Sequence, residues 1–267
     1  MRQQLVDRRC KPTYSSINLK WKAEKRAMKL YNELASWWPL MSPHTEYEEE
    51  AELYLEIIRR YHPDIQKAVE FGSGGGSNAF YLKRNFSMTL TDLSAEMLEV
   101  SRELNPDCKH IQGDMRYLDL GDEFDLVFIH DAITHFTDKA DLLEVMQNAK
   151  KHLNEKGILM IMTDQFEETF KPVTDHGGID QGKRGMRYLE WTYDTDPEDH
   201  KTETEYVYIM RNEDGGIARE FERSESGLFS MPEWEELLAQ AGFQAHFERV
   251  EYTEAEGNYF AIVATQL

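Results

Sequence analysis

A glycine-rich loop directly after a short apolar run is the feature that most limits what this chain can fold into. The run 68–71 is typical of a buried strand, and Gly72, Gly74, Gly75 and Gly76 follow it. Glycine lets a ligand or another backbone approach closely, because no side chain shields the main chain. The loop therefore predicts a binding site at the end of a buried strand.

A helix is expected immediately after this loop. Ser77 and Asn78 are residue types that cap helices, and the apolar positions behind them predict a helix over 77–84. A strand, a glycine loop and a helix in this order place free backbone N–H groups beyond the carboxyl end of the strand, where open α/β sheets bind ligands. The stretch is typical of a cofactor-binding unit.

Two glycine patterns compete at the loop. A dinucleotide fingerprint G-x-G-x-x-G, counted from Gly72, would need glycine or alanine where the chain has Ser77. The pattern E-x-G-x-G-x-G is instead complete at Glu70, Gly72, Gly74 and Gly76. An ordinary glycine-rich turn is the third interpretation of this stretch.

Length and charge narrow the class of protein. The 267 residues suffice for one large α/β domain with an insertion. The sequence contains no run of eighteen apolar residues, so no membrane span is predicted. A formal net charge of −20 disfavours nucleic acids and anionic membranes as partners. Cys10 and Cys108 are far apart and lack metal-binding spacing, so neither a disulfide nor a metal site is predicted. We expect a cytoplasmic enzyme of small molecules.

The chain after the loop alternates between strands and helices. The predicted strands are 66–71, 87–91, 108–112, 124–130 and 157–163, and the predicted helices are 77–84, 94–104 and 139–153. Gly157 is expected to close the last of these helices. The alternation predicts a Rossmann-like, mostly parallel sheet with helices on both faces. Strands at 243–250 and 259–265 would complete seven strands with an antiparallel terminal hairpin.

The remaining segments fall on either side of this pattern. Residues 1–20 are basic and predicted to be a flexible lead-in, and helices are expected over 21–38 and 45–61. These helices would join 21–164 and 231–267 in one Rossmann-like domain. Residues 165–185 are predicted to be a loop, followed by strands at 186–193, 202–210 and 217–224. Residues 165–230 are thus expected to form an antiparallel lid or substrate insertion, and a helix capped by Ser230 should return to the core.

Acidic residues end three successive strands of the predicted sheet. Glu70 ends the first, Asp92 ends the second and Asp114 follows the third, so all three are expected at one edge. Asp92 lies twenty residues after Gly72, where a carboxylate can bind both ribose hydroxyls. Its alternative role is to cap the helix that starts at Ser94. Such acids would repel the phosphates of a dinucleotide and attract a cationic sulfonium.

The span from about 69 to 163 resembles the class I S-adenosylmethionine-dependent methyltransferases. The complete glycine pattern is similar to the first motif of that family, and 92–98 is similar to its second. The resemblance implies S-adenosylmethionine as cofactor and assigns to it Glu70, Gly72, Ser73, Gly74, Gly76, Asp92, Leu93, Met97, Asp114, Met115 and His130. It implies that Asp114 and Met115 contact the adenine, and that His130 contributes backbone to the methionine end.

The resemblance also implies the reaction, an N- or O-methylation of a small molecule by direct displacement. Aligning the reacting groups can supply roughly 7–11 kcal/mol, so a base is optional. In the loop 130–136, His135 is predicted as base or substrate contact, with Asp131 behind it; a structural histidine is the alternative.

Aromatic residues are the predicted substrate contacts. They are Tyr31, Tyr188, Trp191 and Tyr206. Those of the insertion could wall an acceptor pocket, hold an amine by cation–π contact, pack on the core or form a homodimer interface. Two other functions stay open: a non-catalytic cofactor-binding protein, and a nicotinamide-linked oxidoreductase suggested by the Gly72-to-Asp92 spacing.

Overall fold

The computed structural model describes residues 28–253 and 257–267. Its strands are β1 (Lys67–Phe71), β2 (Ser87–Asp92), β3 (Lys109–Gln112), β4 (Phe124–His130), β5 (Leu153–Met162), β6 (Val173–Gly177), β7 (Asp180–Gln181), β8 (Arg184–Tyr193), β9 (Lys201–Arg211), β10 (Ile217–Gly227), β11 (Phe243–Val250) and β12 (Tyr259–Gln266). Its α-helices are α1 (Trp38–Met41), α2 (Glu48–Tyr61), α3 (Ser77–Leu82), α4 (Ala95–Leu104), α5 (Lys139–Lys151) and α6 (Met231–Gln240).

Seven strands form the main sheet, in the order β11-β12-β5-β4-β1-β2-β3. β1 to β5 run parallel, and β12 pairs antiparallel with both β5 and β11. The strand order reverses beside β1, which lies between β2 and β4, and such a reversal opens a crevice for ligands. The predicted Rossmann-like sheet with its terminal hairpin is confirmed.

Helices cover both faces of this sheet because its central strands are apolar on both sides. On one face α5 and α6 pack against Val127 and Ile129, and on the other α2 and α3 pack against Leu126 and Phe128. All four of these β4 side chains are fully buried. Two cores therefore hold β4 rigidly, and the loop that follows it starts from a fixed position.

A second, antiparallel sheet in the order β10-β9-β8-β6 is inserted between β5 and α6, with β7 pairing on β8. The strands expected at 186–193, 202–210 and 217–224 are confirmed as β8, β9 and β10, but the predicted loop over 165–185 is wrong because it contains β6 and β7. β6 is an exposed polar edge strand, so it carries no apolar alternation that periodicity could detect.

The N-terminal segment, residues 28–47, does not form the single helix that was predicted over 21–38. It contains turns, a three-residue 3₁₀-helix at Ala35–Trp37 and the four-residue α1. Leu30 and Leu40 are buried against Met186 and Tyr208 of the antiparallel sheet, and this tertiary packing overrides the helical periodicity. The lead-in 1–20 and the start of the predicted helix lie outside the described residues.

Two local predictions were wrong for steric reasons. Gly157 does not end a helix: it lies inside β5, where an added Cβ would come 2.9 Å from the Phe124 carbonyl oxygen. α3 begins after Gly76 at φ +76° with no side-chain cap, although Ser77 and Asn78 follow. A Cβ on Gly76 would lie 2.4 Å from Ser101 Oγ, so only glycine fits there. The cap of α6 is confirmed, as Ser230 and Glu233 form a capping box.

Candidate functional site

The glycine loop is the meeting point of three parts of the chain. Gly72 has φ +71°, and a Cβ there would lie 2.3 Å from the Cβ of Ala132 in the loop after β4. A Cβ on Gly75 would lie 2.6 Å from Trp38 Cδ1 in the N-terminal segment. The glycines are required because the β1 loop, the β4 loop and the N-terminal segment approach within contact distance.

Two polar side chains at this loop are buried without hydrogen-bond partners. Glu70 is only 3% exposed, and its Oε2 has no partner among the described residues. The hydroxyl oxygen of Ser73 is also buried and has no hydrogen-bond partner among the described residues. Burial raises the pKa of Glu70 to about 8. Unpaired buried polar atoms are costly, so these two indicate a polar ligand at the loop.

Asp92 lies beside the loop at the end of β2. Its carboxylate accepts hydrogen bonds from the Gly74 and Ser94 amides, both at 2.8 Å. Ser94 is the N-cap of α4, since its Oγ accepts from the Met97 amide at 3.0 Å. Asp92 is therefore not the N-cap residue. Its half-buried carboxylate remains at the edge shared with Glu70, and the neighbouring Leu93 is 66% exposed.

The two predicted adenine contacts after β3 have different surroundings: Met115 packs against the glycine loop, and Asp114 forms an ion pair. The Met115 side chain lies against Gly72, with its Cε 2.8 Å from where a Cβ would be. The Asp114 carboxylate binds Arg116, whose Nη2 is 2.6 Å from Oδ2, and this cation lowers the pKa of Asp114. Arg116 also reaches Asp141 at 2.9 Å. Asp114 is thus already paired, which the sequence pattern did not indicate.

His130 lies between two carboxylates at the end of β4. Its Nε2 is 3.0 Å from Glu50 of α2 and its Nδ1 is 3.1 Å from Asp131. Burial alone would lower the pKa of His130, but Asp131 and Glu50 raise it to about 10. Glu50 also accepts a hydrogen bond from Asn78 of α3 at 2.9 Å. A cationic imidazole is therefore fixed beside the glycine loop.

Ionisable and aromatic side chains continue from His130 past the ends of β4 and β5, and we call the space that they line the cleft. Asp131 follows β4 and has φ +51°, a strained value for a non-glycine residue. Its carboxyl group lies beside that of Asp164, which follows β5; desolvation by the surrounding side chains raises the pKa of both, although Asp164 is exposed at the surface. The surrounding side chains desolvate His135 and lower its pKa, although it is exposed at the surface; its ring meets that of Tyr31 edge-on, with 5.5 Å between the centroids. The two sequence-predicted catalytic residues and Tyr31 thus share this cleft.

The antiparallel sheet contributes one of its two faces to the cleft. Glu190 of β8 pairs with Tyr206 of β9, so both side chains lie on the face towards Asp164, and burial raises the pKa of Glu190 to about 7. Tyr188 lies on this same face. Trp191 lies on the other face and is 51% exposed, so its prediction as a substrate contact was wrong. Strand residues three positions apart point to opposite faces.

Several residues of the site escaped prediction. Asp164 directly follows β5, and the rule that selected Asp92 from the end of its strand could have selected it. Glu190 and Tyr206 become neighbours only through the register of β8 and β9. Glu50 belongs to a run of glutamates on α2, and nothing in the local sequence distinguishes it from Glu48 and Glu49.

The residues at the loop fit S-adenosylmethionine. The orphaned Glu70 and Ser73 oxygens can take its polar methionine end, and the Asp92 carboxylate can take its ribose hydroxyls. Met97 and Met115 border Gly74 and Gly72 and supply apolar, polarisable surface for a ring. Glu167, His200 and Glu233 could approach a metal ion, but Glu233 already binds Lys139 at 2.6 Å.

Comparison with known proteins agrees with this geometry. Residues 68–157 match the family model described as a methyltransferase domain. The dTDP-3-amino-3,6-dideoxy-alpha-D-glucopyranose N,N-dimethyltransferase of Streptomyces fradiae is 26% identical over 205 residues, 76% of this chain and 79% of that protein. Putative methyltransferase YqeM of Bacillus subtilis (strain 168) is 24% identical over 233 residues, 85% of this chain and 92% of the relative.

Solved structures show the same fold. DesVI of Streptomyces venezuelae has a TM-score of 0.73 at 20% identity, covering 83% of this chain and 92% of its own. CalS10 of Micromonospora echinaspora, an amino pentose methyltransferase solved with S-adenosylmethionine bound, has a TM-score of 0.70 at 22% identity, with the same coverage. The domain match and the shared fold support the resemblance of its motifs to the class I S-adenosylmethionine-dependent methyltransferases. Within the described residues, no helix has the length and apolar character needed to cross a membrane.

Proposed function

We propose that this enzyme transfers the methyl group of S-adenosylmethionine to the amino group of a small amino sugar. The observation that carries the proposal is the cleft that leads from the glycine loop to the acidic and aromatic face of the antiparallel sheet. Carboxylates and tyrosine rings attract cationic amines. Support also comes from the amino-sugar substrates in the names of the Streptomyces and Micromonospora relatives.

In this proposal the cofactor occupies the edge formed by β1, β2 and β3. Bound there, S-adenosylmethionine supplies an electrophilic methyl group. Glu70 and Ser73 accept or donate hydrogen bonds at its methionine end, Asp92 holds the ribose, and Met115 packs on the adenine. Both carboxylate oxygens of Asp114 accept hydrogen bonds from Arg116, so Asp114 would reach the adenine amino group only through a remaining lone pair of one of them.

The acceptor occupies the cleft beyond β4 and β5. An amine must be uncharged to act as a nucleophile, and a neutral imidazole can take its proton. Desolvation by the surrounding side chains lowers the pKa of His135, which favours the neutral imidazole, so a ring nitrogen can accept the proton. Asp131 and Glu190 attract the ammonium form, and Tyr31 and Tyr206 enclose the sugar. Positioning then aligns the nitrogen with the methyl group.

The insertion 165–230 acts as a substrate lid in this proposal, with the Rossmann-like domain formed by 21–164 and 231–267. Buried contacts between the N-terminal segment and the antiparallel sheet would exclude water from the cleft. The enzyme would be cytoplasmic and would work on a diffusible small molecule, without nucleic acid or a membrane as partner.

Calorimetry and mass spectrometry test the proposal. The full chain is titrated with S-adenosylmethionine and S-adenosylhomocysteine, and is then incubated with the methyl donor and nucleotide-linked amino sugars. The matched control acceptors carry hydroxyl groups in place of the amines. We expect binding of both cofactor forms and a mass gain of one methyl group on the amines only.

Other outcomes would replace the proposal. Cofactor binding without turnover on amines, acids and phenols would favour a non-catalytic binding protein. NADH binding, measured by fluorescence, in place of S-adenosylmethionine binding would favour an oxidoreductase. Methylation of the hydroxyl controls would keep the methyltransferase and reject the amine.

A further inference from the structure

The guanidinium group of Arg116 joins the turn after β3 to helix α5. Its Nη2 lies 2.6 Å from Asp114 Oδ2 in that turn, and its Nη1 lies 2.9 Å from Asp141 Oδ1 in the first turn of α5. The exposed fractions of these three side chains are 25–27%, so water screens the two ion pairs less than it screens fully exposed ones.

The Asp114 carboxylate is fixed in direction as well as in position. Nε and Nη2 of Arg116 donate to its two oxygens, with Nε 3.1 Å from Oδ1. The backbone amide of Arg116 also donates to Oδ1, at 2.9 Å. A two-pronged contact between a guanidinium and a carboxylate sets the plane of the carboxylate, which a single point charge cannot do.

Arg116 is itself held from directions other than that of Asp114. Asp141 binds it from α5, and its Cζ lies 5.5 Å from the centre of the Phe136 ring in the loop after β4. A cation over an aromatic ring is attracted to the face of that ring. The guanidinium therefore has little freedom to turn.

The turn that carries Arg116 is also bound to α5 through its backbone. The side-chain amide of Asn148 on α5 donates to the carbonyl oxygens of Met115 and Leu118, at 3.0 and 2.9 Å. These two carbonyl groups lie on either side of Arg116 in the chain. The position of the guanidinium is thus determined by a packed helix and not by the turn alone.

The hydrogen bonds of Asp114 leave one of its oxygens with capacity for a further donor. A carboxylate oxygen has two lone pairs. Oδ1 receives both the Arg116 amide and Nε, whereas Oδ2 receives one short bond from Nη2 and a longer contact of 3.2 Å from Nε. Adenine carries an amino group that can donate to Oδ2. Hypoxanthine has a carbonyl oxygen at the same place, which a fixed carboxylate repels.

We propose that Arg116 is a positioning residue that makes Asp114 select a purine with an amino group. The inference rests on the proposed function, in which Asp114 lies beside the adenine of the cofactor. Arg116 acts through Asp114: it sets the plane of the carboxylate, and its charge keeps the pKa of Asp114 low. Without Arg116 the carboxyl group can rotate away from a hypoxanthine oxygen, or take up a proton and donate to it.

Calorimetry of the full chain with two nucleosides tests the inference. S-adenosylhomocysteine and S-inosylhomocysteine differ only in the base, which is adenine in the first and hypoxanthine in the second. The wild type should bind the first roughly tenfold to a hundredfold more tightly, because the second loses a hydrogen bond to a charged group. Arg116→Met should reduce this ratio to less than about threefold.

Arg116→Lys separates the geometry of the contact from its charge. Lysine keeps a cation beside Asp114 but cannot set the plane of the carboxylate, so the ratio should fall as in Arg116→Met. The matched control is Arg102→Met, because Arg102 forms an exposed ion pair of the same 2.6 Å length with Glu99 on α4. It should keep the wild-type ratio. Thermal unfolding verifies that all variants fold.

A double variant tests whether Arg116 acts through Asp114. Asp114→Asn alone should reduce the ratio, because the side-chain amide of asparagine can donate to the hypoxanthine oxygen. Adding Arg116→Met to Asp114→Asn should cause no further loss of selection, since the two residues act as one unit. A further loss would overturn the inference.

The other outcomes separate this inference from the proposed function. If neither nucleoside binds the wild type, the proposed function fails and the inference fails with it. If both bind the wild type equally, Asp114 does not select the base, and only the inference is overturned. It is also overturned if Arg116→Met weakens both nucleosides by the same factor, as a merely structural role would, or if Arg116→Lys keeps the wild-type ratio.

Discussion

The cofactor half and the acceptor half of the site are built in different ways. The groups at the edge of β1, β2 and β3 all come from one continuous stretch, 70–115, and are held by local backbone contacts such as those of Asp92 with the amides of its own loop. The groups around the acceptor cleft come from five separate segments: Tyr31, Glu50, Asp131, Asp164 and Glu190.

Because of this difference, the part of the fold that binds the cofactor can stay the same while the part that binds the acceptor varies. A local motif can bind one cofactor whatever is inserted elsewhere, because its geometry needs only a strand, a loop and a helix. A cleft assembled from distant segments changes whenever one segment changes, so it sets the acceptor. Substitutions in the first half should therefore alter cofactor affinity, and substitutions in the second should alter acceptor kinetics.

Asp92→Ala should give the largest effect and is confined to the cofactor half. Hydrogen bonds to a charged group contribute about 1.5–3 kcal/mol each, so losing two ribose contacts should weaken S-adenosylmethionine roughly a hundredfold or more. Calorimetry measures the dissociation constant. The control Glu99→Ala, on the exposed surface of α4, should leave it within about twofold. An unchanged affinity in Asp92→Ala would refute the ribose assignment.

Glu70→Gln should change how stability depends on pH. Glu70 has a pKa of about 8 in the folded chain against 4.5 ordinarily, so the folded state binds the extra proton between these values. Its contribution to stability is complete below the lower value and is lost as pH rises through the upper one. The slope is about −1.4 kcal/mol per pH unit within that window.

Glutamine mimics the protonated acid and removes this slope. Urea unfolding at several pH values should show Glu70→Gln gaining about 1.4 kcal/mol per pH unit over the wild type in that window. The exposed α4 residue Glu103, changed to Gln, serves as control and should keep the wild-type dependence. Parallel curves for wild type and Glu70→Gln would mean that the Glu70 carboxylate is ionised throughout.

Glu222→Gln should give the smallest effect and tests the acceptor half. The Glu222 carboxylate on β10 accepts hydrogen bonds from the Lys29 amide, from the Leu30 amide at 3.3 Å and from the Tyr208 hydroxyl at 3.4 Å. These contacts hold the residues that precede Tyr31. An amide accepts fewer of them, so KM for the acceptor should rise about tenfold, or 1.4 kcal/mol.

The neighbouring Glu220 provides the control for this prediction. It makes only a half-exposed salt bridge with Lys29 at 2.7 Å, so Glu220→Gln should change KM less than about threefold. Steady-state kinetics with the cofactor saturating measure both variants. If Glu222→Gln weakens the cofactor more than the acceptor, the separation of the two halves fails.

The same contrast explains how much the sequence could predict. The glycine loop, Asp92 and the alternation of strands with helices follow from local patterns, so they were predictable. The cation at His130 depends on Glu50 of another helix, and the neutralisation of Asp114 depends on Arg116 and its side-chain direction. Trp191 was predicted as a substrate contact together with Tyr188, although residues three positions apart in one strand point to opposite faces.

The contact between Trp38 and Gly75 also bears on the order of events during turnover. The N-terminal segment contacts the glycine loop through Trp38 and the antiparallel sheet through Leu30. Release of S-adenosylhomocysteine would therefore displace the same segment that encloses the acceptor in the cleft. We expect S-adenosylmethionine to bind before the acceptor and S-adenosylhomocysteine to leave after the methylated product. Opening of the N-terminal segment should then limit the rate of each cycle.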